Sequence, residues 1–219
     1  DDKYRLPIKN DVPEDFLNAL LLKEDKYFHY HLGVNPVSLL DSLINTYIRK
    51  KTSHGASTIT MQLARLKYKI RTKSVLGKIN QVFLATYIEL LYSIKDILKM
   101  YLTIAPYGKN IEGLKAASFI YFKKDYKLLN VEDFLLLASL PQSPSILNKH
   151  SSYSFAPTLL IKKRNLLAKL WNKTYPLKKI EDYILKTRPY LYSIKDINFS
   201  APHFSRFILK SSFEKLSPA

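Results

Sequence analysis

Gly55-Ala56-Ser57-Thr58-Ile59-Thr60-Met61-Gln62-Leu63-Ala64-Arg65 is the most informative segment of this sequence. Ser57 is the expected N-cap of a helix. Thr58, Gln62 and Arg65 then fall at positions i, i+4 and i+7, on one helix face. A hydroxyl, an amide and a guanidinium on one face can hold phosphate or sugar oxygens, and free N–H groups at a helix start strengthen such an anion site. An ordinary polar helix face explains the same spacing equally well.

Helical periodicity continues on both sides of this segment. The 219 residues include only 5 glycines, and alternation with a period of two is scarce, which predicts an almost entirely α-helical domain. Caps and helix-initiating prolines mark the expected helix starts. The predicted helices run from near Pro13 toward Glu24, from Asn35-Pro36 to Arg49-Lys50-Lys51, from near Ser74 to about Tyr92, from Ser93 onward, from the caps Asn110 and Asn130 (the latter ending before Pro141), and over 157–172 and 176–186, with an irregular tail from Asn198.

Upstream, Glu24-Asp25-Lys26-Tyr27-Phe28-His29-Tyr30-His31-Leu32-Gly33 follows an apolar helix face and leads into a loop. Two adjacent carboxylates suit acid–base chemistry when Glu24 must be basic and Asp25 is held by hydrogen bonds as a structural group. From these residues alone, a solvated acidic helix end beside two unrelated histidines is the more common situation.

Downstream, cationic side chains alternate with apolar and aromatic ones. Such a run can grip a pyrophosphate or lie against anionic lipid headgroups, can be a solvated surface, or can bind nucleic acid. A solvated surface is the commonest of these, and no helix-turn-helix, RNA-binding or zinc-finger signature supports nucleic acid. The run consists of Arg65, Lys67, Lys69, Arg71, Lys73 and Lys78.

The predicted helix that begins near Ser74 has a polar face and an apolar face. Taken alone, this pattern favours a polar stripe exposed to solvent. The polar residues are Lys78, Gln81 and Glu89, and the apolar ones opposite them are Val82, Phe83 and Leu90.

Composition limits the classes of partner and site. The 35 Lys+Arg exceed the 18 Asp+Glu and give a formal charge of +17, which favours anionic partners. The absence of cysteine excludes disulfides and thiolate metal sites, and the 5 histidines show no metal-binding spacing. No signal peptide and no apolar run of about 18–20 residues is visible. The abrupt start at Asp1 suggests a piece of a longer protein.

Taken together, these segments resemble glycosyltransferase family 51, the peptidoglycan polymerase module of class A penicillin-binding proteins and of monofunctional glycosyltransferases. The resemblance covers residues 4–203, with several motifs in the family's order. In the first motif Glu24 stands where the family has its catalytic base, supported by Asp25, Phe28, His31 and Gly33. The second motif is residues 55–65, and Arg65 stands at its basic, usually lysine, position that serves the substrate phosphates.

The later motifs add to the resemblance, and the third departs from it. Gly77 stands at an arginine position, Gln81 at a glutamate position and Thr103 at an asparagine position of the family. The pattern Gly77-Lys78-x-x-Gln81, Met61 and the stretch Leu140-Pro141-Gln142-Ser143-Pro144-Ser145 look most like the 1C branch of bifunctional penicillin-binding proteins. The later matching segments are Ile97-Leu98-x-x-Tyr101-Leu102, Gly113-x-x-Ala116-Ala117-x-x-Tyr121-Phe122 and Leu137-Ala138-x-Leu140-Pro141-Gln142-Ser143-Pro144-Ser145.

The resemblance implies a lysozyme-like, two-lobed all-α domain over residues 1–197, with a large globular lobe and a small membrane-facing lobe at about 45–75. Residues 198–219 would link it to a missing transpeptidase domain. It implies inverting polymerisation of lipid II into β-1,4-linked glycan, with release of undecaprenyl pyrophosphate, on the outer face of the bacterial cytoplasmic membrane. The implied substrate- and pyrophosphate-binding residues are Ser57, Thr58, Gln62, Arg65, Lys73, Lys78 and Gln81.

The implied partners are lipid II, the growing glycan and the membrane surface, without nucleic acid. No organic cofactor is expected. A divalent cation, Mg²⁺ or Mn²⁺, is possible in this family, but a neutral Gln81 offers it no charge, so weaker metal dependence is expected.

Three alternatives are set against polymerisation. Gln81 and Thr103 motivate a catalytically weak domain that binds lipid II or acts as a scaffold. A lysozyme-like fold with a central glutamate also fits a muramidase, which would cleave finished glycan, and the basic run fits a helical nucleic-acid-binding domain. The motifs together serve the polymerase, whereas only one of them serves the muramidase.

Overall fold

The computed structural model describes residues 3–8, 10–36, 57–72, 74–149 and 154–196. Helix dominates these residues, which confirms the predicted all-α class. The predicted second helix beyond Pro36, residues 45–56 and Lys73 of the proposed 45–75 lobe, and the tail from Asn198 lie outside the described residues. The described α-helices are α1 (Glu14–Glu24), α2 (Ile59–Lys67), α3 (Val75–Leu91), α4 (Ile94–Ile104), α5 (Leu114–Phe122), α6 (Val131–Ala138), α7 (Thr158–Thr174) and α8 (Asp182–Lys186).

Side-chain caps fix several helix starts where the sequence predicts them. Ser74 accepts a hydrogen bond from the N–H of Gly77 to begin α3, and Ser93 accepts one from Asp96 to begin α4. Asn130 and Asp133 form a reciprocal capping box at the start of α6. Each cap supplies an acceptor to an N–H group that has no partner within its helix.

Two predicted caps are wrong. The cap of α2 is Thr58, whose hydroxyl accepts from the N–H of Met61 at 3.1 Å, whereas the Ser57 hydroxyl is turned toward Lys78. Asn110 lies in the turn between two short strands, and α5 begins only after Gly113. An asparagine suits a turn as well as a helix start, so the residue type alone does not separate the two.

The predicted helix over 176–186 is also wrong as a single element. A 3₁₀ turn covers Pro176–Lys178, and the short helix α8 starts only at Asp182. The backbone between them is held by α7, because the amide of Asn172 bonds both the N–H and the carbonyl of Ile180. These tertiary hydrogen bonds override the local helical pattern.

Short strands pair segments that are distant in the sequence. β1 (Tyr4–Arg5) pairs in parallel with β3 (Ile111–Glu112), and β2 (Pro106–Gly108) pairs with β3 in the antiparallel sense, with an irregular register at 106–108. β4 (Ser154–Phe155) and β5 (Tyr190–Leu191) form a separate antiparallel pair. Arg5 forms an ion pair with Glu112 and ties the first strand to the sheet.

The core has two parts that share α1. One side of α1 packs through Phe16 and Leu20 into the main core, which α2, α4, α5 and α6 also line. The other side packs through Ala19 and Leu22 against α6 and α7, around the buried Trp171. Because α1 is held on both sides, its last residue, Glu24, has a fixed place.

The capping box of α6 gives a direct test of helix-start energetics. Asn130→Ala removes the acceptor at 2.8 Å from the N–H of Asp133, and loss of such a cap costs about 1 kcal/mol of unfolding free energy. Asn110→Ala is the matched control, since Asn110 caps no helix. Urea unfolding should show a lower midpoint for the first variant only, and equal midpoints for the two would contradict the assignment.

Candidate active site

Glu24 ends α1 as a buried carboxyl group, only 5% exposed. Its Oε2 accepts a hydrogen bond of 2.9 Å from Nε2 of Gln62. Burial raises the pKa of Glu24, and the hydrogen bond from Gln62 opposes that rise. A carboxyl group with a raised pKa is, once ionised, a stronger base than a solvated glutamate.

Asp25 is the structural partner that the sequence predicts. Its Oδ1 lies 2.9 Å from Nε2 of His31, and its Oδ2 accepts the backbone N–H of Ile59 at 2.9 Å. The carboxylate therefore sits at the positive N-terminus of α2. Phe28 is buried and packs edge-on to the His31 ring, so the first motif folds back on itself.

Gly33 and Thr58 close the loop onto two helices. The Thr58 hydroxyl donates to the carbonyl of Gly33 at 2.6 Å. Gly33 has a φ of +76°, and a Cβ there would lie 2.7 Å from the carbonyl oxygen of Ala85 on α3. Only glycine fits this conformation and this approach without displacement.

The three residues predicted to share an anion-binding face have separate surroundings. Thr58 is buried against the loop, the Gln62 amide contacts Glu24 and Tyr101, and only Arg65 is exposed. The hydroxyl and the amide thus already have protein partners.

A second group of polar side chains surrounds Lys78 beside the start of α2. Nζ of Lys78 donates to Oγ of Ser57 at 2.9 Å and to Oε1 of Gln81 at 3.1 Å. Burial and, to a lesser degree, the charge of Arg65 lower the pKa of Lys78. Two cations placed together beside neutral oxygens can bind a phosphate group.

The polar face of α3 points inward, which contradicts the expected exposed stripe. Gln81 is 1% exposed and donates to the carbonyl of Met61, and Glu89 accepts from the Thr60 hydroxyl at 2.6 Å. Polar groups on α2 thus attract the polar face of α3. The apolar side chains of Phe83 and Leu90 are left 69% and 73% exposed.

The departures from the third motif have structural roles. A Cβ on Gly77 would meet the carbonyl oxygen of Arg71 at 2.0 Å, so an arginine does not fit there in this backbone. The Thr103 hydroxyl bonds the carbonyl of Lys99 within α4. Both positions serve local packing rather than the polar groups around Glu24.

The described residues do not fit a divalent cation held by the protein. Within these ranges no three His, Cys, Asp or Glu side chains lie close enough to share a metal ion. Both ends of the Gln81 amide have protein partners, Lys78 and Met61.

Sequence reasoning did not include three residues near Glu24 among its site residues. Tyr101 donates to Oε1 of Gln62 at 3.1 Å. The side chain of Gln142 lowers the pKa of Glu24, and the charge of Glu24 adds to the burial that raises the pKa of Tyr107. Tyr101 and Gln142 belong to the later segments that match the family, and this match is the sequence signal that could have identified them as site residues.

Comparison with known proteins supplies the family. The transglycosylase family profile matches residues 1–170. The chain belongs to the transglycosylase family. The predicted family, glycosyltransferase family 51, and its enzyme class, peptidoglycan glycosyltransferase, are thereby confirmed.

Relatives of this transglycosylase are longer proteins. Penicillin-binding protein 1A of Vibrio cholerae is 32% identical over 206 residues, which is 92% of this chain and 24% of that protein. Penicillin-binding protein 1C of Escherichia coli is 32% identical over 221 residues, which is 99% of this chain and 28% of that protein. The chain thus spans about a quarter of these relatives. Equal identities do not separate the 1A and 1C branches, and the 1C assignment stays a prediction.

The buried carboxyl group of this transglycosylase predicts a pH-dependent effect on stability. In the unfolded chain Glu24 ionises near its ordinary value of 4.5, and in the folded chain its pKa is higher. Ionisation of Glu24 therefore destabilises the folded state. This effect is absent at pH values below the pKa of the unfolded chain and is complete at pH values above the pKa of the folded chain. Glu24→Gln should raise the Tm at pH 8 and leave it unchanged near pH 4, as measured by calorimetry.

Glu14→Gln is the control on the same helix. Glu14 is exposed in the first turn of α1, where a negative charge is favourable. No gain in Tm is expected from this change at either pH. An equal gain in both variants, or a gain at pH 4, would contradict the burial argument.

Proposed function

We propose that the domain polymerises lipid II into β-1,4-linked glycan by inverting transfer, with release of undecaprenyl pyrophosphate. One observation carries the proposal: a buried carboxyl group and a cation are both held by hydrogen bonds to residues at or beside α2. Gln62 contacts Glu24, and Ser57, just before the same helix, contacts Lys78. A base and an anion site held by one helix match a reaction that needs both.

The acceptor hydroxyl must lose a proton as its oxygen attacks the anomeric carbon. Glu24 is the proposed base: its carboxylate takes the proton while the new C–O bond forms. Burial raises the pKa of this group, which strengthens it as a base as long as it remains ionised. The second carboxylate, Asp25, is committed to the N–H of Ile59 and to His31 and does not compete for this role.

The leaving pyrophosphate gains charge as the old C–O bond breaks. Lys78 and Arg65 would stabilise that charge, and the dianionic ligand would relieve their mutual repulsion. Lys73 remains a proposed contributor. A pyrophosphate is a good leaving group, so no strong general acid is required.

Weak metal dependence is part of the proposal. The side chains around Gln81 offer a divalent cation no set of carboxylates, so cations on the protein would do most of the work at the pyrophosphate. Polymerisation that stops completely on chelation of divalent cations would count against this.

We further propose that α3 contacts the membrane surface. Its exposed apolar residues recur at helical spacing on one face, and Lys67 lies over the rings of Tyr68 and Tyr92 nearby. Tyrosine and lysine favour the boundary between headgroups and hydrocarbon. Among the described residues, no helix has the length and apolar character required to cross a bilayer. The exposed residues of α3 are Val75, Leu76, Ile79, Phe83, Tyr87, Leu90 and Leu91.

The membrane in question is the bacterial cytoplasmic membrane, and its outer face is the proposed location. The relatives of this chain are penicillin-binding proteins about four times its length. A transpeptidase domain joined to this one in the full-length protein is therefore part of the proposal. Polymerised glycan would then reach a neighbouring domain that cross-links it.

The polymerisation assay uses labelled lipid II in detergent and compares the parent chain with Glu24→Gln. The parent should give polymer and the variant none, a loss of at least about a hundredfold, because the base is gone. Glu14→Gln, on the same helix, should polymerise like the parent. In the same assay Lys78→Met should lower kcat/KM by about a hundredfold, as loss of a preorganised charge does, whereas Lys162→Met on α7 should not.

The other outcomes are informative in different ways. Polymer from both parent and Glu24→Gln would keep the activity and remove Glu24 from its role. Lipid II binding without turnover by the parent would favour the weakly catalytic or scaffold alternative. Cleavage of finished glycan would favour a muramidase.

The membrane contact is tested by co-sedimentation with vesicles of phosphatidylglycerol and phosphatidylcholine. Changing Leu76, Phe83 and Leu90 to Gln should weaken binding at least tenfold, since each exposed apolar side chain contributes about 1.5–3 kcal/mol when buried. The matched control changes Leu159, Leu166 and Leu170 to Gln on α7, which are also exposed. Equal losses in the two variants would show that α3 is not the contact surface.

A further inference from the structure

The Glu24 carboxylate has two oxygens in different situations. Oε2 accepts from Nε2 of Gln62 at 2.9 Å. Oε1 is buried and has no hydrogen-bond partner among the described residues. A carboxylate anchored by one oxygen has a defined orientation, and its other oxygen remains available as an acceptor.

The orientation of the Gln62 amide decides whether it donates to Glu24 or repels it. An amide carries an oxygen on one side and an NH₂ group on the other. Tyr101 is fully buried, and its hydroxyl donates to Oε1 of Gln62 at 3.1 Å. With the amide oxygen engaged there, the NH₂ group faces Glu24. The reversed amide would set its oxygen against a carboxylate.

We propose that Tyr101 and Gln62 are positioning residues, which hold Glu24 by Oε2 and leave Oε1 to accept the proton of the attacking hydroxyl. Neither residue touches the reacting atoms. This inference rests on the proposed function, and it converts Gln62 from a predicted substrate-binding residue into a support for the base.

The hydrogen-bonded chain from Tyr101 through Gln62 to Glu24, called the relay below, affects the pH dependence of the reaction. A donor to the carboxylate favours its ionised form, so Gln62 opposes the rise in the pKa of Glu24 that burial causes. Without that donor the base ionises only at higher pH, and the acid limb of the rate profile moves upward. The other groups that act on the pKa of Glu24 are Lys23 and Asp25 beside it in the chain and Gln142 after α6. Tyr101 on α4 and Tyr107 on β2 also face Glu24, whose charge adds to the burial that raises their pKa values.

The experiment is a double-mutant cycle on the polymerising chain. Tyr101→Phe keeps the ring and removes only the hydroxyl, and it should lower kcat about tenfold, the value of one buried hydrogen bond. Gln62→Leu should lower kcat about a hundredfold. Both should move the acid limb to higher pH with little change in KM. The double variant should equal Gln62→Leu, since the hydroxyl acts only through the amide.

Tyr126→Phe is the control for loss of the hydroxyl from a buried tyrosine, since Tyr126 is 2% exposed and lies in a 3₁₀ turn before α6. It should leave the rate and the pH profile unchanged. Multiplicative losses in the double variant, or a parental profile for Tyr101→Phe, would overturn the relay. An equal change in Tm for Tyr101→Phe and Tyr126→Phe separates the effect from general destabilisation.

A second readout does not depend on turnover. The infrared titration of Glu24, taken as the difference between each chain and its Glu24→Gln counterpart, should show a higher pKa in Tyr101→Phe and Gln62→Leu than in the parent. An unchanged titration overturns the relay even if the chain polymerises. A shifted titration in a chain without polymerase activity supports the relay and sinks the proposed function instead.

Discussion

The hydrogen bond from the N–H of Ile59 to Oδ2 of Asp25 joins the end of α1 to the beginning of α2. A second bond, 2.6 Å long, runs from the Thr58 hydroxyl to the carbonyl of Gly33 and ties the residues that follow α1 to the residue before α2. Together these two hydrogen bonds fix the position of the start of α2 relative to the end of α1. Gln62 lies one turn into α2, so its distance from Glu24 depends on both bonds. Asp25 also places its carboxylate at the positive end of α2, where a negative charge is favourable.

The site combines features that oppose folding. Among the described residues, one oxygen of the buried Glu24 has no hydrogen-bond partner, and Lys78, which stands beside Arg65, donates to the neutral oxygens of Ser57 and Gln81. Each feature has a free-energy cost that a substrate with a hydroxyl and a pyrophosphate would remove. The packing of α1 on both of its sides stabilises the fold and offsets these costs. The site can therefore keep its buried carboxyl group and its neighbouring cations.

Local signals carried much of the fold. Ser74, Ser93 and Asn130 predicted three helix starts, because a cap acts through atoms three residues away. The signals failed where a distant partner decided the outcome. Ser57 lost its capping role to Thr58 because Lys78 engages its hydroxyl. Asn110 lies in a turn that the pairing of β2 with β3 determines.

The site could be predicted only in part for the same reason. The neighbouring acids Glu24 and Asp25 suggested one base and one structural group, and the contacts of Asp25 fit that division. Nothing local, however, linked Gln62 to Glu24 or Tyr101 to Gln62, since 38 and 39 residues separate the members of each pair. Amide and hydroxyl groups are too common in sequences for such a chain of contacts to be foreseen from spacing.

The direction of α3 shows how a familiar pattern can be reversed. In a helix that packs on a core, the apolar face is buried and the polar face is solvated. Here α2 presents polar groups, Met61 through its carbonyl and Thr60 through its hydroxyl, so the polar face of α3 turns toward them. The apolar side chains of the opposite face, such as Phe83 and Leu90, are then left outside, although Ala85 and Ile88 are buried beside Gln81 in the core. A helix that buries Gln81 and exposes an apolar stripe suits the proposed reaction, in which a charged pyrophosphate would be handled within the protein while its lipid chain stays in the membrane. On this argument the exposed stripe and the buried amide of Gln81 would both follow from the proposed substrate, which is charged at one end and apolar at the other.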